Sequence, residues 1–278
     1  MNRKLFSSLL LPLVAAGVNA ARLDTVTTYS QAMHKDMPAI VITPDSYSPR
    51  KDYPVVYMLH GFGGTYKSDW ASPQWDVAKY ADVYDMIFVT PDGADSWYLD
   101  SPVDSTYRYE TYLVHELVPF VDAHYSTRAD RTGRAITGLS MGGHGALHTA
   151  FLHQDVFGAC GSMSGGVDIR PFPNNWHMSK TLGTYAEHPD NWERHTVINL
   201  THLLTPGSLA ITFDCGTDDF FYEANCRLHE KLVYMNIPHD FTSRPGGHTA
   251  EYWRNSIKYH LVFFDTYFNQ GDKGEGGK

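Results

Sequence analysis

The stretch RAITGLSMGGHGALHTA, Arg134–Ala150, carries apolar and β-branched residues into a serine crowded by glycines, then into alanine and leucine. A simple turn needs one glycine, yet Gly138, Gly142, Gly143 and Gly145 all surround Ser140. The pattern G-x-S-x-G, placed where a strand becomes a helix, forms a nucleophile elbow. In that sharp, strained turn the serine hydroxyl stands clear of the sheet, and side chains on the flanking turns would collide. A plain glycine-rich strand-to-helix turn is the simpler alternative, and the rest of the chain decides between them.

Outward from Ser140, apolar runs alternate with amphipathic segments. Strands are predicted at DTVTTYS, MPAIVITP, YPVVYMLH, MIFVTP, RAITGLS, GACGSMS, LAITFDC and HDFTSRP. The central runs are almost continuously apolar, as parallel strands covered on both faces must be. Helices are predicted around Trp75–Tyr84, Tyr107–Tyr125, Gly142–His153, Tyr222–Met235 and Thr249–Phe268. This alternation predicts an α/β fold, a mostly parallel sheet with helices on both faces. The first two strands have no helix between them and are expected to form an antiparallel edge. Residues 168–207 break the rhythm with DIRPFPNNW and a short helix pair, HPDNWERHTVINLTHLL, and are expected to form an insertion over the active edge. One domain is expected over 21–270, and the glycine-rich tail 271–278 is expected to be disordered.

A serine nucleophile needs a base, and the base needs an orienting acid. In this architecture the chain order is serine, acid, histidine. LAITFDCGTDDFF places Asp214, Asp218 and Asp219 at and beyond a strand end, and RPGGHTAEYW places His248 in a glycine loop after the last strand. Both loops leave carboxyl ends of strands, the edge where α/β folds build their sites. Asp214 reads as the strand end itself. Asp219 precedes the aromatic run that should pin its loop, so it is favoured over Asp218. The third requirement is a pair of backbone N–H donors for the developing oxyanion. Met141, next to the nucleophile, and Phe62, in the loop HGFGG, are the expected donors, with His60 a shaping rather than a catalytic residue. Trp97, Tyr98, Trp176 and Phe220 lie in loops at the same edge and are expected to line the substrate pocket, with ordinary packing the competing role.

Composition narrows the function classes. MNRK, then LFSSLLLPLVAAG, then VNA reads as a basic, apolar and small-residue leader removed after Ala20, with periplasmic or secreted export expected. A buried N-terminal helix is the alternative, disfavoured by Pro12 and the polar restart at Arg22. No later run has the ~20 apolar residues of a membrane span. Formal charge is −9, and losing Arg3 and Lys4 with the leader makes it −11, with no basic stripe, so nucleic acid is a poor partner. Three cysteines are an odd number, leaving at least one unpaired within the chain. Cys160 reads as a buried hydrophobe, and pairing of Cys215 with Cys226 is left open. His144 and His148 have the i, i+4 spacing of a zinc face, but no glutamate follows His144 and no third ligand is evident, so no metal and no cofactor are expected. Oligomeric state is not legible.

HGFGG, PDGADSWYLDSP, GLSMGGHGAL, CGTDDFFYEAN and PGGHTAEYW together closely resemble the esterase D-like group of α/β-hydrolases. That group contains carbohydrate esterase family one, with feruloyl and acetylxylan esterases, besides S-formylglutathione hydrolases, tributyrin esterases and mycolyltransferases. The resemblance covers nearly all of the chain after the leader. It implies Ser140 as nucleophile, Asp219 as acid, His248 as base, and the N–H groups of Phe62 and Met141 as oxyanion donors. It also implies a serine carboxylesterase. The export expected from the leader and the segment SWYLDSP look more like the polysaccharide-trimming members, so cleavage of short acyl or hydroxycinnamoyl (feruloyl or acetyl) esters on plant polysaccharides is expected, with a small ester or oligosaccharide ester as substrate. An acyltransferase using a sugar hydroxyl in place of water, or an inactive carbohydrate-binding protein on the same fold, are the competing readings. The 168–207 segment matches no pattern of the group.

Overall fold

In a computed structural model, which describes residues 20–270, eight strands hydrogen-bond into one sheet. The expected leader, apart from Ala20, and the tail 271–278 lie outside the described residues. The strands are β1 (Arg22–Ser30), β2 (Lys35–Thr43), β3 (Val55–Leu59), β4 (Ile87–Pro91), β5 (Arg134–Gly138), β6 (Ala159–Met163), β7 (Ala210–Gly216) and β8 (Asp240–Arg244). Their order across the sheet is β1-β2-β4-β3-β5-β6-β7-β8. β1 and β2 pair antiparallel, β2 is antiparallel to β4, and β3 through β8 run parallel. The expected α/β fold with an antiparallel N-terminal edge is therefore what the chain forms.

The period of two along each strand explains the layers. Val55, Tyr57 and Leu59 face one core together with Ile87, Ile136, Cys160, Ile211 and Phe213. Val56 and Met58 face the other, with Ile40, Ile42, Phe88, Ala135 and Ala159. Helices α1 (Val77–Tyr84) and α8 (Ala250–Phe268) cover the second face through Val77, Ala81, Ile257, Leu261 and Phe264. The first face is covered by α2 (Tyr109–Thr111), α3 (Val118–His124), α4 (Met141–Leu152) and α7 (Tyr222–Tyr234). Each buried Leu or Ile contributes roughly 1.5–3 kcal/mol, which is why both faces must be covered. Between α2 and α3 the helix widens into a π turn, Tyr112–Leu117. Pro119 follows it, has no N–H to give the carbonyl four residues back, and forces such an adjustment.

Helix α4 is buried on nearly all sides, Met141 to Phe151, which accounts for its glycines, alanines and absence of charged residues. It lies against β5 and β6 and, on its other side, against the turn Val197–Leu203. That turn belongs to residues 168–207, with α5 (Met178–Leu182) and α6 (Pro189–His195). The first part of this segment places Phe172 and Trp176 against Phe220, beside the Ser140 cleft. The rest packs Leu182, Trp192, Val197 and Ile198 into the core beside α4. No helix among the described residues is long and apolar enough to cross a membrane.

Candidate active site

Between β5 and α4, Ser140 has φ 55° and ψ −116°, a conformation that side-chain-bearing residues adopt only under constraint. The glycines around it answer to close backbone approach. A Cβ on Gly138 would lie 2.4 Å from the Gly142 carbonyl carbon, and one on Gly142 would lie 2.2 Å from the Leu59 carbonyl oxygen. Neither position can carry a side chain while β3 and β5 stay paired. The strained serine is thereby held at the carboxyl edge of the sheet.

His248 enters from the loop after β8, with Nε2 2.8 Å from Ser140 Oγ and Nδ1 2.8 Å from Asp219 Oδ2. The second Asp219 oxygen accepts the Phe221 N–H at 2.9 Å, and the Asp219 side chain is completely shielded from solvent. A buried carboxylate accepts and cannot donate, so Nδ1 carries the ring hydrogen and Nε2 is left to accept the serine proton. Low local dielectric strengthens both bonds. The arrangement can therefore move a proton off Ser140 Oγ.

The three candidate acids separate cleanly. A turn closed by Asp219 N–H to the Gly216 carbonyl (3.1 Å) points Asp219 inward. Asp218 is exposed, and its N–H donates to the Gly246 carbonyl at 2.9 Å, tying the acid loop to the base loop. Asp214 lies inside β7, buried and bound to Arg244 (2.9 Å), Ser256 (2.9 Å) and His260 (3.3 Å). Of the three, only Asp219 is bonded to His248.

Two backbone N–H groups next to this centre in the chain or in the cleft are left unbonded. Gly61 N–H is taken by Asp69 Oδ2 (3.1 Å) and Gly64 N–H by the Gly61 carbonyl (3.0 Å), which fixes the loop after β3. The N–H groups of Phe62 and Met141 make no hydrogen bond to any described residue. His60 cannot act as a base, because Nδ1 lies 2.8 Å from the Gly61 carbonyl and Nε2 accepts the Gly93 N–H at 2.8 Å. Burial holds its pKa below the ordinary imidazole value.

An open cleft of about 340 Å³ is lined by Gly61, Phe62, Ser140, Trp176, His248 and Trp253. Trp176 stacks at 5.6 Å on Phe220, which lies outside this lining and 4.3 Å from the His248 ring. Trp97 and Tyr98 require a correction. They are 1% and 2% exposed, and their left-handed backbones (φ 58° and 59°) turn both rings inward. The Tyr98 hydroxyl accepts the His60 N–H at 2.9 Å, and Trp97 packs edge-on against His144. Neither lines the cleft at Ser140 and His248. Sequence reasoning missed Trp253, which meets His248 at 4.8 Å and 90°. Its signal was available as an aromatic one turn into the helix that follows the base.

His144 and His148 stack at 5.6 Å on α4, and His195 stacks on His148 at 5.5 Å. His144 Nδ1 is 2.9 Å from the Gly166 carbonyl, and burial, with His148 beside it, lowers its pKa to about 3. Among the described residues no group of three or more His, Cys, Asp or Glu side chains is arranged to hold a metal ion. Cys160, Cys215 and Cys226 are free thiols.

A family model described as "Putative esterase" matches residues 30–264. Esterase Rv1288 of Mycobacterium tuberculosis (strain ATCC 25618 / H37Rv) is 34% identical over 239 residues, 75% of this chain and 51% of that protein. The chain thus spans about half the length of that relative. An acetyl esterase of Caldicellulosiruptor saccharolyticus is 24% identical over 259 residues, covering 84% of this chain and 94% of that one. The solved structure of a ferulic acid esterase superposes with a TM-score of 0.76 at 29% identity, covering 90% of this chain and 99% of the other. With a family model spanning most of its length and a solved esterase of matching fold, the chain belongs to this esterase family of α/β-hydrolases.

Proposed function

We propose that the chain is an exported serine carboxylesterase that cleaves short acyl or hydroxycinnamoyl esters carried by plant polysaccharides. The observation that carries the mechanism is the unbroken line Ser140 Oγ–His248 Nε2, His248 Nδ1–Asp219 Oδ2, each step 2.8 Å. Ser140 Oγ attacks the ester carbonyl as His248 Nε2 takes its proton, and the oxyanion sits between the free N–H groups of Phe62 and Met141. His248 then gives that proton to the leaving alcohol, so the carbon–oxygen ester bond breaks and an acyl-Ser140 remains. Water attacks the acyl group with His248 again accepting a proton, and return of that proton to Ser140 releases the acid. Asp219 stays ionised throughout and stabilises the imidazolium.

The substrate class rests on three supports. The similar proteins include one named an acetyl esterase and one named a ferulic acid esterase. Trp176, Phe220 and Trp253 offer flat faces that stack on sugar rings or phenyl acyl groups. A strongly acidic chain repels carboxylate-rich polymers and tolerates neutral sugar esters. The leader-like pattern of residues 1–20 supports export. A panel of p-nitrophenyl esters from two to sixteen carbons, beside methyl ferulate and feruloylated and acetylated xylo-oligosaccharides, tests the assignment through kcat/KM. Turnover of the sugar esters and of short chains is expected. A preference for chains beyond about ten carbons, with nothing on the sugar esters, would defeat the substrate class and leave the serine mechanism standing.

A further inference from the structure

The corner Trp176–His177 bridges the two loops that build the catalytic centre. Both residues are left-handed, φ 49° and 55°, a backbone that must be held in place from outside. The Trp97 indole N–H donates to the Trp176 carbonyl at 3.3 Å. His177 Nδ1 lies 2.9 Å from Asp95 Oδ2, while the other Asp95 oxygen accepts the Tyr107 hydroxyl at 3.0 Å. The His177 ring meets Phe62 of the oxyanion loop edge-to-face at 5.3 Å. On the opposite side, Trp176 stacks on Phe220 of the acid loop at 5.6 Å and 21°. One two-residue corner therefore touches both loops, and Trp176 is the part of it that lines the cleft.

We propose that the Asp95–His177 pair is a clasp that positions Trp176 as the specificity-determining wall of the cleft, favouring esters with a planar aromatic group on the acyl or the alcohol side. The inference rests on the serine-esterase reading of Ser140 and on no particular natural substrate. An aromatic wall held in its binding orientation spares the substrate the cost of ordering it, so its benefit goes to flat groups that stack and not to acetyl or ethyl groups. Asp95 is a positioning residue: it acts through His177 and lines no part of the cleft. The bond needs no change of charge, because His177 Nδ1–H donates whether the ring is neutral or protonated. Lys180, 3.6 Å from Asp95, and Tyr107 are the other polar groups that face the carboxylate.

The test compares Asp95→Ala, Asp95→Asn and His177→Ala in the full chain with two probe pairs. Benzoate and acetate esters of p-nitrophenol vary the acyl side, and benzyl and ethyl acetate vary the alcohol side. Asp95→Ala and His177→Ala should lower the aromatic-to-aliphatic kcat/KM ratio in one pair by about 3- to 10-fold, the worth of one stacked aromatic contact. The loss should appear in KM of the aromatic ester. Asp95→Asn keeps an oxygen to accept from Nδ1 and should retain most of the ratio. Unchanged ratios in both pairs for Asp95→Ala and His177→Ala overturn the clasp, as does an equal fall in kcat for every ester. Should Asp95→Ala fail to fold, His177→Ala decides alone, since that side chain is 67% exposed and its removal leaves the core intact. A wild type that hydrolyses none of the four esters marks failure of the underlying esterase reading, and the clasp falls with it.

Discussion

Asp219→Asn is the sharpest perturbation of the proposed mechanism, because the structure dictates how the amide must sit. Asp219 uses one oxygen for His248 Nδ1 and the other for the Phe221 N–H. Asparagine has one carbonyl oxygen, and the Phe221 N–H can only donate, so that oxygen turns toward Phe221. The amide NH₂ then faces His248 Nδ1, which must accept and therefore loses its hydrogen. The ring hydrogen moves to Nε2, and the base can no longer take the Ser140 proton. Turning the amide around leaves two donors opposed in a site with no solvent access, at about 1–3 kcal/mol. The expected loss is on the order of 10⁴ in kcat, as found when the triad tautomer is reversed elsewhere. That corresponds to about 5.5 kcal/mol of transition-state stabilisation. KM should move by less than about threefold, since substrate binding does not use this proton. Asp218→Asn, altering an exposed side chain whose loop is tied by backbone, should cost under about tenfold. Steady-state hydrolysis of p-nitrophenyl acetate separates the two variants. Asp219→Asn within tenfold of wild type, or a greater loss in Asp218→Asn, refutes the reasoning.

Three further outcomes follow from geometry. Gly142→Ala places a Cβ 2.2 Å from the Leu59 carbonyl oxygen and should cost well above about 3 kcal/mol, seen as loss of soluble protein or a much lower Tm; normal melting would deny the close approach of α4 to β3. Trp97→Ala removes a ring that is 1% exposed and should destabilise by about 3–5 kcal/mol, so a variant of normal stability with altered selectivity would restore Trp97 to the pocket. Glu110, paired with His148 and His153, has its carboxyl held well below the ordinary 4.5 against the opposing effect of burial. Its contribution is therefore present above the unfolded pKa and lost as pH falls toward the depressed folded value, so Glu110→Gln should lower Tm at pH 7 and the gap should narrow below about pH 4.5. A gap that widens in acid would contradict that sign.

Much of the site was legible because its chemistry dictates chain order. Ser140 and His248 follow from glycines that only a tight elbow needs and from loops at the same ends of parallel strands. Choosing Asp219 over Asp218 was harder, since neighbours in a loop differ only by which way a turn points them, and one backbone bond to Gly216 decides it. The near-continuous apolar runs announced a sheet covered on both faces, but which residue meets which face appears only in the packed structure. The sequence could not show that Trp97 and Tyr98 turn inward. Nothing in two aromatic residues announces left-handed backbone, which here comes from the surrounding packing, with Tyr98 wedged against Gly93 and Gly145. Residues 168–207 were opaque for a related reason. Their four prolines and short helices have no period, and their burial is set by contact with α4 and α7.

Active-site labelling tests the central claim most directly. A fluorophosphonate probe followed by peptide mapping should place a single adduct on Ser140, and Ser140→Ala should abolish both labelling and ester hydrolysis while melting like the wild type. An adduct on any other residue, or hydrolysis that persists in Ser140→Ala, would contradict the account.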